Sequence, residues 1–319
     1  MVKFKYSLAK QGKWLCPECG HKTFVCYVDE NGNVLDDSVG KCDRANNCGH
    51  HYPPRDYFKD NNIEEDYKPS YSSTPPLTLE PEPSYIDPDI FKKTVIGSNT
   101  RTNALLKYLE FEGFDADTIE HIKNEYYIGA SKHWNGATVF WQVDQFGHVH
   151  TGKIMLYNAI EGKRVKEPYN HISWVHTVLK LQNFNLKQCL FGEHLLIKYP
   201  NRPVIVVESE KTAMILGGIM DKCVVVACGG CGNLTKAMLR PLIGRNVILS
   251  PDNGKFNEWS DKGKALAHMF KRLWITDIME KCNREEGEDI ADLILRKYTS
   301  WKLDGEDIIN LRWGLLPLY

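Results

Sequence analysis

The rhythm of apolar and polar positions changes three times along the chain. In the last third, short apolar runs alternate with segments of helical spacing: VIVVE then KTAMILGGIM, CVVVAC then NLTKAMLRPLI, NVILS then SDKGKALAHMFKRL, ITDIM then EDIADLILRKY. Near-continuous apolar strands are covered on both faces, and regular strand–helix alternation predicts a parallel sheet with right-handed crossovers. In the middle, TNALLKYLEFEGF and DADTIEHIKNEYY carry apolar residues three or four apart and predict two helices, the second capped by Asp115 or Asp117. ATVFWQVD and GHVHTGKIMLYN alternate around Gln145-Phe146-Gly147, which predicts a β-hairpin.

The beginning follows neither rhythm. Residues 1–60 are rich in Cys, Gly, His and Asn, and residues 61–85 carry five prolines among serines and acids. Such a mixture removes backbone donors and cannot pack a core, so 61–85 reads as a linker. The predicted organisation is α/β: a small N-terminal module over 1–60, the linker, an α+β subdomain over 86–199 and a parallel-sheet domain over 200–319. No internal repeat is visible.

Composition narrows the picture. A chain of 319 residues suits two or three domains, and 42% hydrophobic residues allow a sizeable core. The net charge of -1 gives no global basic field, so any nucleic-acid contact must come from local patches. MVKFKYSLAKQGKW lacks the apolar stretch of a signal peptide, and no run reaches membrane-spanning length, so a cytoplasmic protein without membrane contact is expected. In that compartment ten cysteines point to metal binding for some of them rather than to disulfides.

Cys16 and Cys19 form a Cys-x-x-Cys knuckle, and Cys42 and Cys48 follow after a segment with Asn31-Gly32 at its turn. A hairpin there would fold the second pair onto the first, and four thiolates make a closed, structural zinc site. The spacing of the second pair is long, so His21, His50 or His51 can replace one thiolate; Cys26, in an alternating strand, reads as core. Lys13, Trp14, Lys22, Phe24, Lys41 and Arg44 suit contact with single strands and equally suit an ordinary surface. Cys228 and Cys231 repeat the Cys-x-x-Cys pattern, but CGGC lies in a strand-to-helix turn without a partner pair and reads as a tight backbone turn.

The remaining chemistry lies in the last third. Glu208 ends the first apolar strand there and Asp252 follows the third. Parallel strands deliver both to one sheet edge, where two acids can hold Mg²⁺ for phosphoryl or phosphodiester chemistry. Lys211 opens the next helix, where phosphate is attracted. Lys153, Lys163 and Arg164 flank the hairpin and can line a nucleic-acid groove, although each alone reads as a surface cation. Trp174 and His176 read as core.

VVESEKTAMI, ACGGCGNL and ILSPDNG, in that order and strand–helix context, resemble the topoisomerase–primase (toprim) domain over about residues 200–298. Upstream, the hairpin, the segment CLFGEHLL and the cysteine module follow the order of bacterial replicative primases. GKCDRANNCGHHYPP, CLFGEHLL, VESEKTA and SPDNGKFNEW look closest to the primase-like proteins of plasmids and integrated mobile elements. The resemblance implies a structural Zn²⁺, a catalytic Mg²⁺ or Mn²⁺, single-stranded DNA and nucleoside triphosphates as ligands, and a helicase or mobilisation protein as partner. It gives Glu208, Asp252 and Lys211 the catalytic roles.

One departure stands out. Toprim domains carry Asp-x-Asp after the third strand. If Asp252 is the first acid, Gly254 stands at the second position. Glu210 and Asp261 are the candidates to replace it. Asp289 and Asp292 form a further i, i+3 pair, which reads, like Asp261, as favourable charge or capping at a helix N-terminus. The departure leaves three readings open: an active primase-type nucleotidyltransferase, a DNA-binding replication or mobilisation factor with a degenerate site, and a toprim nuclease. No topoisomerase tyrosine motif is identifiable.

Overall fold

The structure is a computed structural model that describes residues 6–9, 11–44, 48–61, 63, 82–282, 288–301 and 315–318. The chain divides into two units, residues 1–79 and 80–319. Most of the segment read as a linker lies outside the described residues.

The first unit is a four-stranded antiparallel sheet in the order β1 (Ser7–Leu8), β2 (Phe24–Val28), β3 (Gly40–Cys42), β4 (His51–Tyr52), followed by α1 (Pro54–Asp60). The Asp29 carboxylate accepts from the Asn31 and Asn33 amides at 2.9 and 2.8 Å, which closes the turn at Asn31-Gly32. Among the described residues its buried core is small, with a cluster of Cys16, Phe24, Cys26 and Cys42 and the nearby Val25 and Val39. A unit of that kind does not bury enough apolar surface to fold on hydrophobicity alone.

The second unit begins with α2 (Pro88–Ile96), α3 (Ala104–Phe111) and α4 (Ala116–Glu125). Asn103 caps α3, accepting from Leu105 and Leu106, and its amide donates to the Gly129 carbonyl at 3.0 Å. Asp115 caps α4 through the Thr118 amide at 2.7 Å. An antiparallel sheet follows in the order β5 (Gly129–Ser131), β6 (Ala137–Val143), β7 (Val149–Met155), β8 (Ile172–Trp174). The Asp144 carboxylate accepts from the Phe146 and His148 amides to close the β6–β7 turn, as the alternation predicts. Short helices α5 (Val175–Val178) and α6 (Leu195–Lys198) lead into the second sheet.

That sheet has the order β10 (Val224–Ala227), β9 (Val204–Val207), β11 (Asn246–Leu249), β12 (Arg272–Thr276), β13 (Leu315–Pro317). The first four are parallel, as their continuous apolar character predicts. β13 pairs antiparallel at the edge, where a proline is tolerated. Its connecting helices are α7 (Glu210–Ile219), α8 (Phe256–Leu266), α9 (Ile278–Lys281) and α10 (Ile290–Trp301).

Three predicted elements are corrected. The segment 233–243 forms no α-helix, only 3₁₀ turns at Cys231–Asn233 and Arg240–Leu242, because Pro241 supplies no amide and clashes with the preceding turn. α8 starts at Phe256 and ends at Leu266, earlier at both ends than its apolar spacing suggests. The residues after it become β12: Lys271 donates its amide to Arg245 and draws 272–276 into register with β11, so the strand starts three residues before ITDIM and ends within it at Thr276, and α9 begins at Ile278.

α4 packs closely on α7. A Cβ on Gly217 would stand 1.7 Å from the Tyr126 hydroxyl, and one on Gly218 would stand 2.1 Å from Ile122. Tyr126 donates to the Val225 carbonyl at 2.9 Å, tying α4 to β10. Helix propensity alone favours Gly217→Ala by about 1 kcal/mol. Overpacking reverses the sign, so the variant should lose about 1–3 kcal/mol, read as a lower urea midpoint at unchanged m-value.

Candidate metal and phosphate site

Val247 pairs with Val204 and Leu249 with Val206, so β9 and β11 end side by side. Glu208 leaves β9, and Ser250 and then Asp252 leave β11, at that edge. Ser209 caps α7 by accepting from the Thr212 amide at 3.1 Å, which starts the helix immediately after Glu208. The segment after α9 returns to the same place: Asn253 donates its amide to the Glu288 carbonyl at 2.9 Å, which brings Asp289 against Asp252.

Asp289 is buried and caps α10. One oxygen accepts from the Ala291 and Asp292 amides at 2.8 and 3.1 Å, and the other accepts from the Thr212 hydroxyl. The helix-capping role read from the sequence is therefore present, and the same carboxylate also faces the acid cluster, a placement that sequence reasoning missed. The available signal was that a fourth parallel strand, β12, returns its following segment to the edge where β9 and β11 end.

The electrostatics of the cluster are unusual. The Asp252 carboxyl is pushed up to about 8, first by burial and then by Asp289, Glu208 and Asp292, with Lys211 opposing. Burial also raises Glu208, against the Cys231 amide, and its Oε2 is buried without a hydrogen-bond partner among the described residues. Burial likewise raises Asp289. Crowded carboxylates with an orphaned oxygen fit a divalent cation bound by oxygen ligands. Among the described residues only the four cysteines gather their ligand atoms within 4.8 Å, so the acids stand wider. Mg²⁺ needs only one or two direct carboxylates, with waters filling its other positions and bridging to the remaining acids.

The other candidates go elsewhere. Glu210 is buried and engaged by Lys153 of β7, whose Nζ donates to its two oxygens at 3.0 and 3.1 Å and reaches the Gly229 carbonyl at 3.4 Å. Asp261 lies inside α8, past its first turn, with its side chain 80% exposed and paired to Lys264; the structure does not bring it to the cluster, nor does it cap the helix. Gly254 is exposed and donates its amide to Glu280. Ser250, two residues before Asp252 and directly after β11, is buried, and its Oγ has no hydrogen-bond partner among the described residues. Gly229 and Gly230 have φ of +79° and +153°, which only glycine adopts readily, and this turn presents the Cys231 amide to Glu208.

The acids form one wall of an open cleft of about 950 Å³. Lys153, Lys163, Arg164, Lys166 and Lys211 line it with them. The Lys211 Nζ donates to Asp292 at 3.1 Å, at the start of α7. Trp174 and His176 are not among the lining residues; His176 accepts or donates to Thr151 at 2.9 Å and stacks on Phe184.

The metal-free cluster has a pH signature. Asp252 titrates normally near 3.8, and its folded value of about 8 means that the folded chain keeps a proton the unfolded chain has lost between those limits. Stability should therefore fall as pH rises through that window. Melting in EDTA should occur at a lower temperature at pH 9 than at pH 6, and saturating Mg²⁺ should raise it more at pH 9. A flat or rising EDTA profile would contradict this placement of the acids.

In the first unit the thiols of Cys16, Cys19, Cys42 and Cys48 lie within 4.8 Å of one another, with Cys16–Cys48 at 3.7 Å and Cys19–Cys42 at 4.0 Å. Tetrahedral zinc with Zn–S bonds of about 2.3 Å needs sulfurs spaced at about 3.8 Å, so the set fits Zn²⁺ without a histidine. The His21 amide holds the Cys19 thiol down to about 6, which favours the ligating thiolate. Cys26 is buried apart from this set, in the core.

A zinc beta-ribbon finger family matches residues 4–63. A family described as a domain of unknown function (DUF6371) matches residues 103–253. No curated protein matches the chain. Among solved structures, the DnaG primase catalytic domain bound to ssDNA is similar at 15% identity and a TM-score of 0.47, over 72% of this chain and 78% of that one. The RNA polymerase domain of Mycobacterium tuberculosis primase DnaG is similar at 14% and 0.46, over 72% and 82%. The primase fragment of the bacteriophage T7 primase-helicase protein is similar at 14% and 0.40, over 92% and 96%. Among the described residues no helix is long and apolar enough to cross a membrane.

Proposed function

We propose that this protein is primase-like: it binds single-stranded DNA and carries a Mg²⁺ or Mn²⁺ site for nucleotidyl or phosphoryl transfer. The observation that carries the reading is the buried, unpartnered Glu208 oxygen in a group with Asp252, Asp289 and Asp292, facing a cleft lined by lysines and arginine. Glu208 and Asp252, supplemented by Asp289 and Asp292, would hold the cation. When bound, it supplies positive charge to a phosphoryl group and its leaving oxygen. Lys211, at the start of α7, and Lys163, Arg164 and Lys166 hold phosphates in the cleft. Lys153 positions the Gly229 turn, and through it the Cys231 amide that orients Glu208. In the alternative to ligation, Glu208, with its carboxyl raised by burial, would accept the proton of an attacking hydroxyl. The zinc ribbon would engage the template, and a helicase or mobilisation protein is the partner the primase-like organisation suggests.

The toprim motifs VVESEKTAMI and ILSPDNG support this reading, with one adjustment to the second. Asp-x-Asp spacing is met by Ser250–Asp252 as well as by Asp252–Gly254, and Ser250 occupies the strand-end place. On either alignment one acid is absent, which favours a second reading: a DNA-binding replication or mobilisation factor without chemistry. The test is a single-stranded template with labelled nucleoside triphosphates and Mg²⁺ or Mn²⁺. Metal-dependent synthesis supports the primase. Template shortening without synthesis indicates a nuclease. Template binding without either leaves the non-catalytic reading.

A further inference from the structure

Four rings form a continuous row on loops outside the acid cluster. His133 and Trp134 have ring centroids 4.3 Å apart, Trp134 meets His171 at 5.1 Å near perpendicular, and Tyr169 stacks on His171 at 4.4 Å with an interplanar angle of 17°. Trp134 anchors the row by packing against the hydrophobic cluster around Trp141 and Val139. His171 is buried, and its Nδ1 has no hydrogen-bond partner among the described residues. Tyr169 is 55% exposed, so a large aromatic surface meets solvent while the ring is held against His171.

The topology places this row next to the cleft. Ser131 pairs with Ala137, Thr138 with Met155 and Met155 with Ile172, so the loops 132–136 and 156–171 leave the same end of the antiparallel sheet. Met155, Tyr157, Lys163, Arg164 and Lys166 at that end line the cleft. Lys166 thus joins the cationic wall to Tyr169 within one loop, and Lys132 adds an exposed cation beside His133.

We infer that the exposed face of Tyr169, held in place by the buried His171 and by Trp134 behind it, is a stacking platform for an unpaired base of a single-stranded nucleic acid whose phosphates follow Lys163, Arg164 and Lys166. Every base has a π-face, so aromatic stacking beside a cationic track binds single strands with little regard to sequence. A duplex has its bases already stacked on one another and cannot use the platform. The path of the strand rests on reading the cleft as a nucleic-acid site; the stacking itself does not require the metal.

The test is anisotropy of a labelled oligo(dT) with the full chain in EDTA. Tyr169→Ala lies in an exposed loop and should fold normally, checked by circular dichroism. It should bind about ten- to a hundredfold more weakly, the usual effect of removing one stacked base contact. Tyr169→Phe should bind like wild type. An abasic strand of equal length should bind wild type as weakly as oligo(dT) binds Tyr169→Ala. Unchanged binding by Tyr169→Ala, or equal wild-type affinity for the abasic and dT strands, would overturn the platform alone. A wild type that binds neither strand overturns it together with the single-strand reading. Weakened binding by Tyr169→Ala in a protein that shows no synthesis leaves the platform standing and removes the catalytic reading.

Discussion

Glu208→Gln and Asp252→Asn should each lower Mg²⁺-dependent synthesis on a single-stranded template by on the order of a thousandfold. Metal stabilisation of phosphoryl transfer is worth several kcal/mol, and each 1.4 kcal/mol or so is tenfold in rate. Both substitutions keep side-chain size and remove a charge that the folded chain finds costly, so the variants should fold and, without metal, should melt no lower than wild type. Direct Mg²⁺ titration by calorimetry should show the binding heat reduced in both. Asp261→Asn, on an exposed stretch of α8, should match wild type in every assay. Asp289→Asn should fall between, because its carboxylate also caps α10 and accepts from Thr212. Full activity in Glu208→Gln would remove the proposed catalytic role of the sheet edge, and lost activity in Asp261→Asn would place the ion elsewhere.

Removing zinc should unfold the first unit and leave the second intact. The unit's buried core includes Cys16, Phe24, Cys26 and Cys42, and two of these belong to the four-thiol cluster. Zinc binding to such modules contributes about 10–16 kcal/mol at neutral pH, comparable to or above the whole stability of a typical domain. Metal analysis should find about one zinc per chain. A strong chelator, or Cys16→Ser, should abolish dispersed amide signals from residues 1–60 while those of the parallel sheet persist. Cys26→Ser should retain the zinc, since that thiol lies in the core outside the ligand set. A folded, zinc-free first unit would refute the assignment.

The cysteine spacing, the parallel strands and the position of Glu208 were legible because each depends on local pattern. A run such as VIVV buries itself wherever it sits, and its last residue has one possible end of the sheet. Cys16-x-x-Cys19 needs only its own turn to present two thiols. By contrast, NLTKAMLRPLI has helical spacing but folds as turns, because Pro241 interrupts the ladder. The shift of β12 to Arg272–Thr276 comes from pairing with β11, which the apolar pattern of one segment cannot register.

The acid cluster divides in the same way. The sequence by itself determined that this chain carries a module with two cysteine pairs, a parallel sheet, and Glu208 and Asp252 at the ends of two strands. Only the tertiary structure decided which other charges join them. It brought Asp289 and Asp292 to the edge, gave Glu210 to Lys153, left Asp261 in solvent and set the rings from Trp134 to Tyr169 beside the cationic wall. The physical reason is range. Periodicity and turn chemistry act over a few residues, whereas the field at Asp252 is set by burial and by carboxylates about forty positions away along the chain, which meet it only when β9, β11 and β12 are aligned.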